Sequence, residues 1–112
     1  MLFEEIERLR DELNTSVEAL REKGEALAKA EHDYKIALAR CSLELKNLGF
    51  SAAMIDKVVY GYKNVAELRL KRDTAQTLYD TAKEYINSIK LSIRITMSQL
   101  QLEYGLSGQG SM

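Results

Sequence analysis

An all-α fold is what this sequence predicts: two long antiparallel helices joined by a short cross-helix, forming a helical bundle on oligomerisation. Three observations carry the prediction. Proline is absent from all 112 residues, so nothing in the chain fixes φ or removes a backbone donor inside a helix. Apolar side chains recur at the spacing of a helix packed along its length. Glycine-containing breaks with serine or asparagine beside them fall at residues 47–51 and 61–64 and at the C-terminal end.

The first long element spans about Leu2 to Leu48. Its apolar stripe is Leu2, Ile6, Leu9, Leu13, Val17, Leu20, Leu27, Tyr34, Leu38, Cys41, Leu45 and Leu48, with Gly24 and Ala30 or Glu31 filling the gaps. The mean step is about 3.5 residues, the period of a helix with a continuous partner. Gly24 costs roughly 1 kcal/mol against alanine in a helix interior. A tolerated glycine or slight bend is the simpler reading, and close approach of a partner backbone the other.

Asn47-Leu48-Gly49 then reads as a helix end, with Gly49 free to adopt the left-handed stop. Ser51 is placed to cap a short helix from Ala52 to about Tyr60, which Gly61 ends. Asn64, with Glu67 three residues on, has the form of a cap opening the next helix. This second long element runs from about Val65 to Tyr104. Its stripe is Val65, Leu68, Arg72, Ala75, Tyr79, Ala82, Ile86, Ile89, Ile93, Thr96, Leu100 and Glu103, again about 3.5 residues per step. Leu78, Tyr85, Met97 and Tyr104 are expected to widen that face. Residues 1–104 thus form one helical domain. Gly105–Met112, with three glycines and two serines, is expected to be a flexible tail.

On a helical wheel Leu70, Leu91, Ile95 and Leu102 lie nearly opposite Ile89. A second apolar face needs a second partner, and another copy of the chain is the simplest. These four residues are the expected oligomer interface.

Charge excludes some classes of function. The formal net charge is −1, so a histone-like polycation is excluded. The single cysteine, Cys41, rules out an internal disulfide, and a lone histidine, His32, rules out motifs that need two. His32 is expected at the surface and Cys41 in the core. No titratable groups converge by spacing, so no catalytic residue, metal site or cofactor is expected, and an enzyme is the least favoured class. The N-terminal residues are acidic where a signal peptide is basic, and the apolar runs are far too short for a membrane span. No membrane partner is expected, and the expected location is the cytoplasm of a bacterial host.

Two constellations are candidate sites. Arg69, Arg72, Lys83, Lys90 and Arg94 fall within a sector of about 60° on the second long helix. Such a stripe could follow a phosphate backbone, making DNA the alternative partner. Residues 1–50 carry eleven acids and eight bases, however, and residues 51–112 six acids and eight bases. Pairing of an acidic first helix with the basic stripe explains both without a ligand. At the central turn, Tyr60 and Tyr62 flank Gly61 beside Lys57 and Lys63. Aromatics beside cations can anchor a protein partner. The apolar residues there, Phe50 among them, can equally plug the end of the hairpin. Tyr79 and Tyr85 are expected near the core with satisfied hydroxyls.

The stretch Glu31–Ala39, the turn Leu48–Ser51 to Gly61, the run Ala66–Ala75 with Tyr79, and the stretches Leu91–Ile95 and Leu102–Gly105 resemble a family of small helical proteins. That family occurs in early regions of prophages and temperate phages of Gram-positive bacteria. The likeness covers roughly residues 16–105. Ser51 stands where proline is common in that family. The resemblance implies a non-enzymatic early accessory protein that binds a host or phage protein, and an analogy with Gam-type inhibitors, which also use long helices, extends this to inhibition of a recombination nuclease or defence system. It brings no catalytic residues with it. A structural coiled-coil component is a third expectation.

Overall fold

The structure, a computed structural model, describes the backbone of residues 1–110 and the side chains of residues 1–105. It is helical, with no strand among the described residues. Helix α1 is Leu2–Asn47, α2 is Ala52–Val58, a 3-10 turn follows at Val59–Gly61, and α3 is Lys63–Gly110. The long helices run antiparallel, as the periodicity predicts. The backbone of α3 stays helical past Tyr104, as far as Gly110. Of the expected flexible tail, the side chains after Gly105 and all of residues 111–112 lie outside the described residues.

The chain divides into two compact units. One is Glu22–Asp80 and contains the turn. Here α1 ends in a Schellman motif: Gly49 takes φ +95°, the Phe50 N–H reaches the Leu45 carbonyl at 3.1 Å and the Gly49 N–H the Lys46 carbonyl at 3.0 Å. That turn throws Leu48 outward, 75% exposed, so it leaves the apolar stripe it was expected to end. Phe50 folds back instead, onto buried Leu45, Ile55 and Val59. Ser51 is extended, and its Oγ accepts the Met54 N–H at 3.3 Å, capping α2 as expected. Tyr62 is also extended, and its carbonyl accepts the Ala66 N–H at 2.8 Å. α3 therefore opens at Lys63, one residue ahead of the expected cap, and Asn64 lies inside the first turn.

A second cluster joins Tyr34 and Ala37 of α1 to Val65 of α3, with Leu38, Cys41 and Leu68 against it. Arg72 sits in the apolar seam for a visible reason. Its guanidinium lies 4.7 Å from the centre of the Tyr34 ring, and its Nε donates to Asp73 at 2.8 Å. Near Asp80 the Tyr79 ring covers Gly24, 3.4 Å from where a Cβ would stand. A side chain, and not the backbone, approaches the glycine.

The other unit is Met1–Arg21 with Thr81–Met112. Leu9 of α1 and Ile86 and Ile89 of α3 are buried, and so are Ser16 and Thr96. The Thr96 hydroxyl donates to the Ser92 carbonyl at 2.9 Å, which satisfies it. Ser16 is 9% exposed while its neighbour Val17 is 50% exposed, correcting the stripe by one position. Steps alternating four and three, from Leu2 through Ile6, Leu9 and Leu13, land on 16 and not 17. Tyr85 donates its hydroxyl to Glu12 across the two helices, but it is exposed. So are Met97 and Tyr104 here and Leu78 in the first unit, and none of the four widens the buried face. Glu103 is exposed as well.

Candidate functional site

A groove of about 760 Å³ opens beside the turn, inside the Glu22–Asp80 unit. One wall is the outer edge of α1 from Asp33 to Glu44, and the other is the start of α3 from Tyr62 to Leu68. The wall forms because the chain stays extended at Tyr62 before turning into helix, which sets the Tyr62 ring and the Lys63 stem beside α1. Ala37, Cys41, Val65 and Leu68 make an apolar floor, and Ile36 adds an exposed apolar edge.

The rim carries both signs. Asp33 and Glu44 face the groove along with Arg40 and Lys63. Lys29 Nζ lies 2.9 Å from Asp33 Oδ2, and that hydrogen bond holds the Asp33 carboxyl below its ordinary pKa. Lys63 stands 4.0 Å from Glu67. Cys41 is partly buried and a free thiol. The groove thus has an apolar floor and a rim of a few charged groups, a form suited to holding an amphipathic ligand. No group of three or more metal-ligating side chains occurs among the described residues.

The turn candidates separate. Tyr62 and Lys63 line the groove. Lys57 is exposed on α2, and Tyr60 is exposed with the Arg69 guanidinium 5.0 Å from its ring centre, so neither joins the groove. Sequence reasoning missed Asp33, Ile36, Arg40 and Glu44. Of these, Ile36 alone carried a signal, as an apolar residue off the stripe. His32 is exposed, as expected.

The basic stripe is partly engaged in the fold. Arg69 stacks on Tyr60, Arg72 on Tyr34, and Lys83 also has an interaction. Lys90 and Arg94 are exposed. On α1, Glu18 pairs with Arg21 at 3.0 Å, and Glu5 and Glu12 both bond Arg8. Some acids of the first helix therefore find their cations on their own helix.

Leu70, Leu91, Ile95 and Leu102 are all at least half exposed. A shallow apolar groove runs beside Leu91, Ile95 and Leu102, with Arg94 on its edge. A second lies between Leu70 and Leu78 of α3 and Ala26 and Ala30 of α1. No helix among the described residues is long and apolar enough to cross a membrane. No family model, curated protein or solved structure matches this chain.

Proposed function

We propose that this chain is a non-catalytic binding protein that holds a segment of a protein partner in the groove beside the turn. One observation carries the reading: an apolar floor bordered by acids and bases together. Asp33 and Glu44 would repel a polyanion entering this groove, whereas a peptide with apolar side chains and charges of both signs can satisfy floor and rim at once. Tyr62 is the anchor, because it is exposed, aromatic and stands at the wall. The resemblance to early-region phage proteins makes a host or phage protein the partner class, with inhibition of a recombination nuclease or defence system as the physiological outcome.

The test is capture from a bacterial lysate by tagged protein, with and without nuclease, repeated with Tyr62→Ala and Ile36→Glu. The reading requires a captured protein that survives nuclease and is lost with both variants while their helicity is unchanged. Capture that vanishes with nuclease, and with Lys90→Glu plus Arg94→Glu, would assign the function to nucleic acid instead.

A further inference from the structure

Helix α3 carries two heptad lanes. The inner lane, from Val65 through Ile86 and Ile89 to Leu100, advances in steps alternating three and four, and every member is buried or half-buried. Shifted by two residues, about 200° around the helix, an outer lane runs from Leu70 to Leu102 in the same alternation. Every one of its positions is exposed. It is apolar at Leu70, Leu91, Ile95 and Leu102, and polar at Thr74, Thr77, Thr81, Glu84, Ser88 and Ser98. Exposed leucines and an isoleucine held in one heptad register mark a lane that a second helix can cover.

We propose that this lane docks on the same lane of a second copy in antiparallel orientation, with Asn87 beside the two-fold axis. The argument is charge and shape complementarity, and it is independent of the groove at the turn. In this register Leu70 meets Leu102 of the other copy at both ends. Leu91 and Ile95 meet Thr81 and Thr77, whose methyl groups offer apolar contact. The Thr77 hydroxyl is already satisfied by the Asp73 carbonyl at 3.1 Å. The flanking positions bring Asp80 against Arg94 of the other copy, twice by symmetry. Both residues are exposed.

Competing arrangements fail on the same criteria. A parallel pair sets Glu84 directly against Glu84 in one layer of the seam, where like charges repel, whereas the antiparallel register sets each Glu84 opposite the Ser88 hydroxyl of the other copy. Sliding the antiparallel pair by one heptad places Leu102 opposite Lys63 in one direction, and Glu84 opposite Ile95 in the other. A further heptad in that second direction puts Arg94 against Arg94. The polar middle of the lane thus specifies the register, as buried polar positions do in coiled coils.

Oxidative cross-linking in a Cys41→Ser background tests the geometry. Asn87→Cys lies at the axis and is expected to form a disulfide-linked dimer. Ser98→Cys faces Thr74 of the other copy and is expected not to. A charge swap tests the register. Asp80→Arg or Arg94→Asp alone is expected to raise the dimer dissociation constant about tenfold, from two exposed pairs lost per dimer. The two together in one chain are expected to bring it back near the parent value. Sedimentation showing only monomer at tens of micromolar overturns the proposal. Cross-linking through Ser98→Cys but not Asn87→Cys overturns the orientation, and a double swap that fails to recover overturns the register. Circular dichroism of each variant confirms that the helices remain.

Discussion

Truncation of Phe50 separates the two roles that the turn was expected to combine. Phe50 is the residue after the left-handed Gly49, and it packs against Leu45, Ile55 and Val59. Cutting a fully buried phenylalanine to alanine costs about 3–5 kcal/mol. Phe50 is mostly buried and keeps a partly exposed edge, so Phe50→Ala is expected to cost about 3 kcal/mol. With an unfolding entropy of about 2.1 cal/mol/K per residue, a chain of this length has a total of about 0.23 kcal/mol/K, and the Tm falls by about 13 °C. Tyr62→Ala removes a ring that is 43% exposed at the groove wall, and its Tm is expected to stay within about 3 °C while partner capture is lost. Thermal melts followed by far-UV circular dichroism, beside the capture assay, measure both. If Tyr62→Ala melts far below the parent and Phe50→Ala does not, plug and anchor have been assigned the wrong way round. If both destabilise and capture survives both, the groove is not the binding surface.

Gly24→Ala is expected to raise the Tm by about 4 °C, because the new methyl meets the Tyr79 ring at 3.4 Å, ordinary contact, and the helix gains about 1 kcal/mol of propensity; a lower Tm would show that the ring cannot yield. Ser16→Asp is expected to cost about 3 kcal/mol or more by burying an unpaired charge, whereas Val17→Asp stays within about 0.5 kcal/mol; denaturant titration of the two variants checks the seam position directly. The Tyr85 hydroxyl donates to Glu12, which raises its pKa above the ordinary 10.0. The folded state therefore holds that proton more tightly, and the contribution is present below pH 10 and lost as pH rises through the folded value. An NMR titration of the Tyr85 ring in Glu12→Ala, showing no return toward the ordinary value, would reject this cause.

The fold was legible because helical packing is written in periodicity and turns in residue chemistry. Gly49 could be read as a left-handed stop because that backbone region is costly for other residues, and Ser51 as a cap because its side chain can replace a missing helical bond. The errors share one origin. Val17, Leu48 and Tyr85 were expected at the seam because they are apolar, yet position on the helix outranks hydrophobicity where the two conflict. Strict alternation of steps placed Ser16 inward, and the Schellman turn threw Leu48 out. Arg72 looked like part of a phosphate track because its charge is visible in the sequence and its stacking on Tyr34 is not. The groove was half legible: Tyr62 and Lys63 stood out as a motif. Its α1 wall did not, since Asp33, Arg40 and Glu44 look like any solvated helix face until α3 is laid beside it.

The inner seam also bears on assembly. It is poor in large side chains: Gly24, Ala30, Ala37, Ala75 and Ala82 take positions where a coiled coil would place leucine, and Ser16 and Thr96 are polar. Its large buried side chains, Leu9, Tyr34, Leu45, Ile86 and Ile89, are interspersed with these small ones. Small residues let two helices approach but remove little apolar surface from water, at about 25 cal/mol per Å². Long helices owe their stability to packing more than to propensity, so burial of the outer lane of α3 against a second copy should supply a sizeable part of it. Mass action then makes the Tm depend on concentration. Above the dimer dissociation constant, each tenfold rise in protein concentration stabilises the dimer by about 1.4 kcal/mol. Spread over two chains with about 0.46 kcal/mol/K between them, that is an increase of about 3 °C. Melting at concentrations from about one to a hundred micromolar should show this slope for the parent, and Leu91→Lys with Ile95→Lys should remove it, because two charges on the lane prevent docking. A parent Tm that does not move across that range would mean that each chain is stabilised by its inner seam alone.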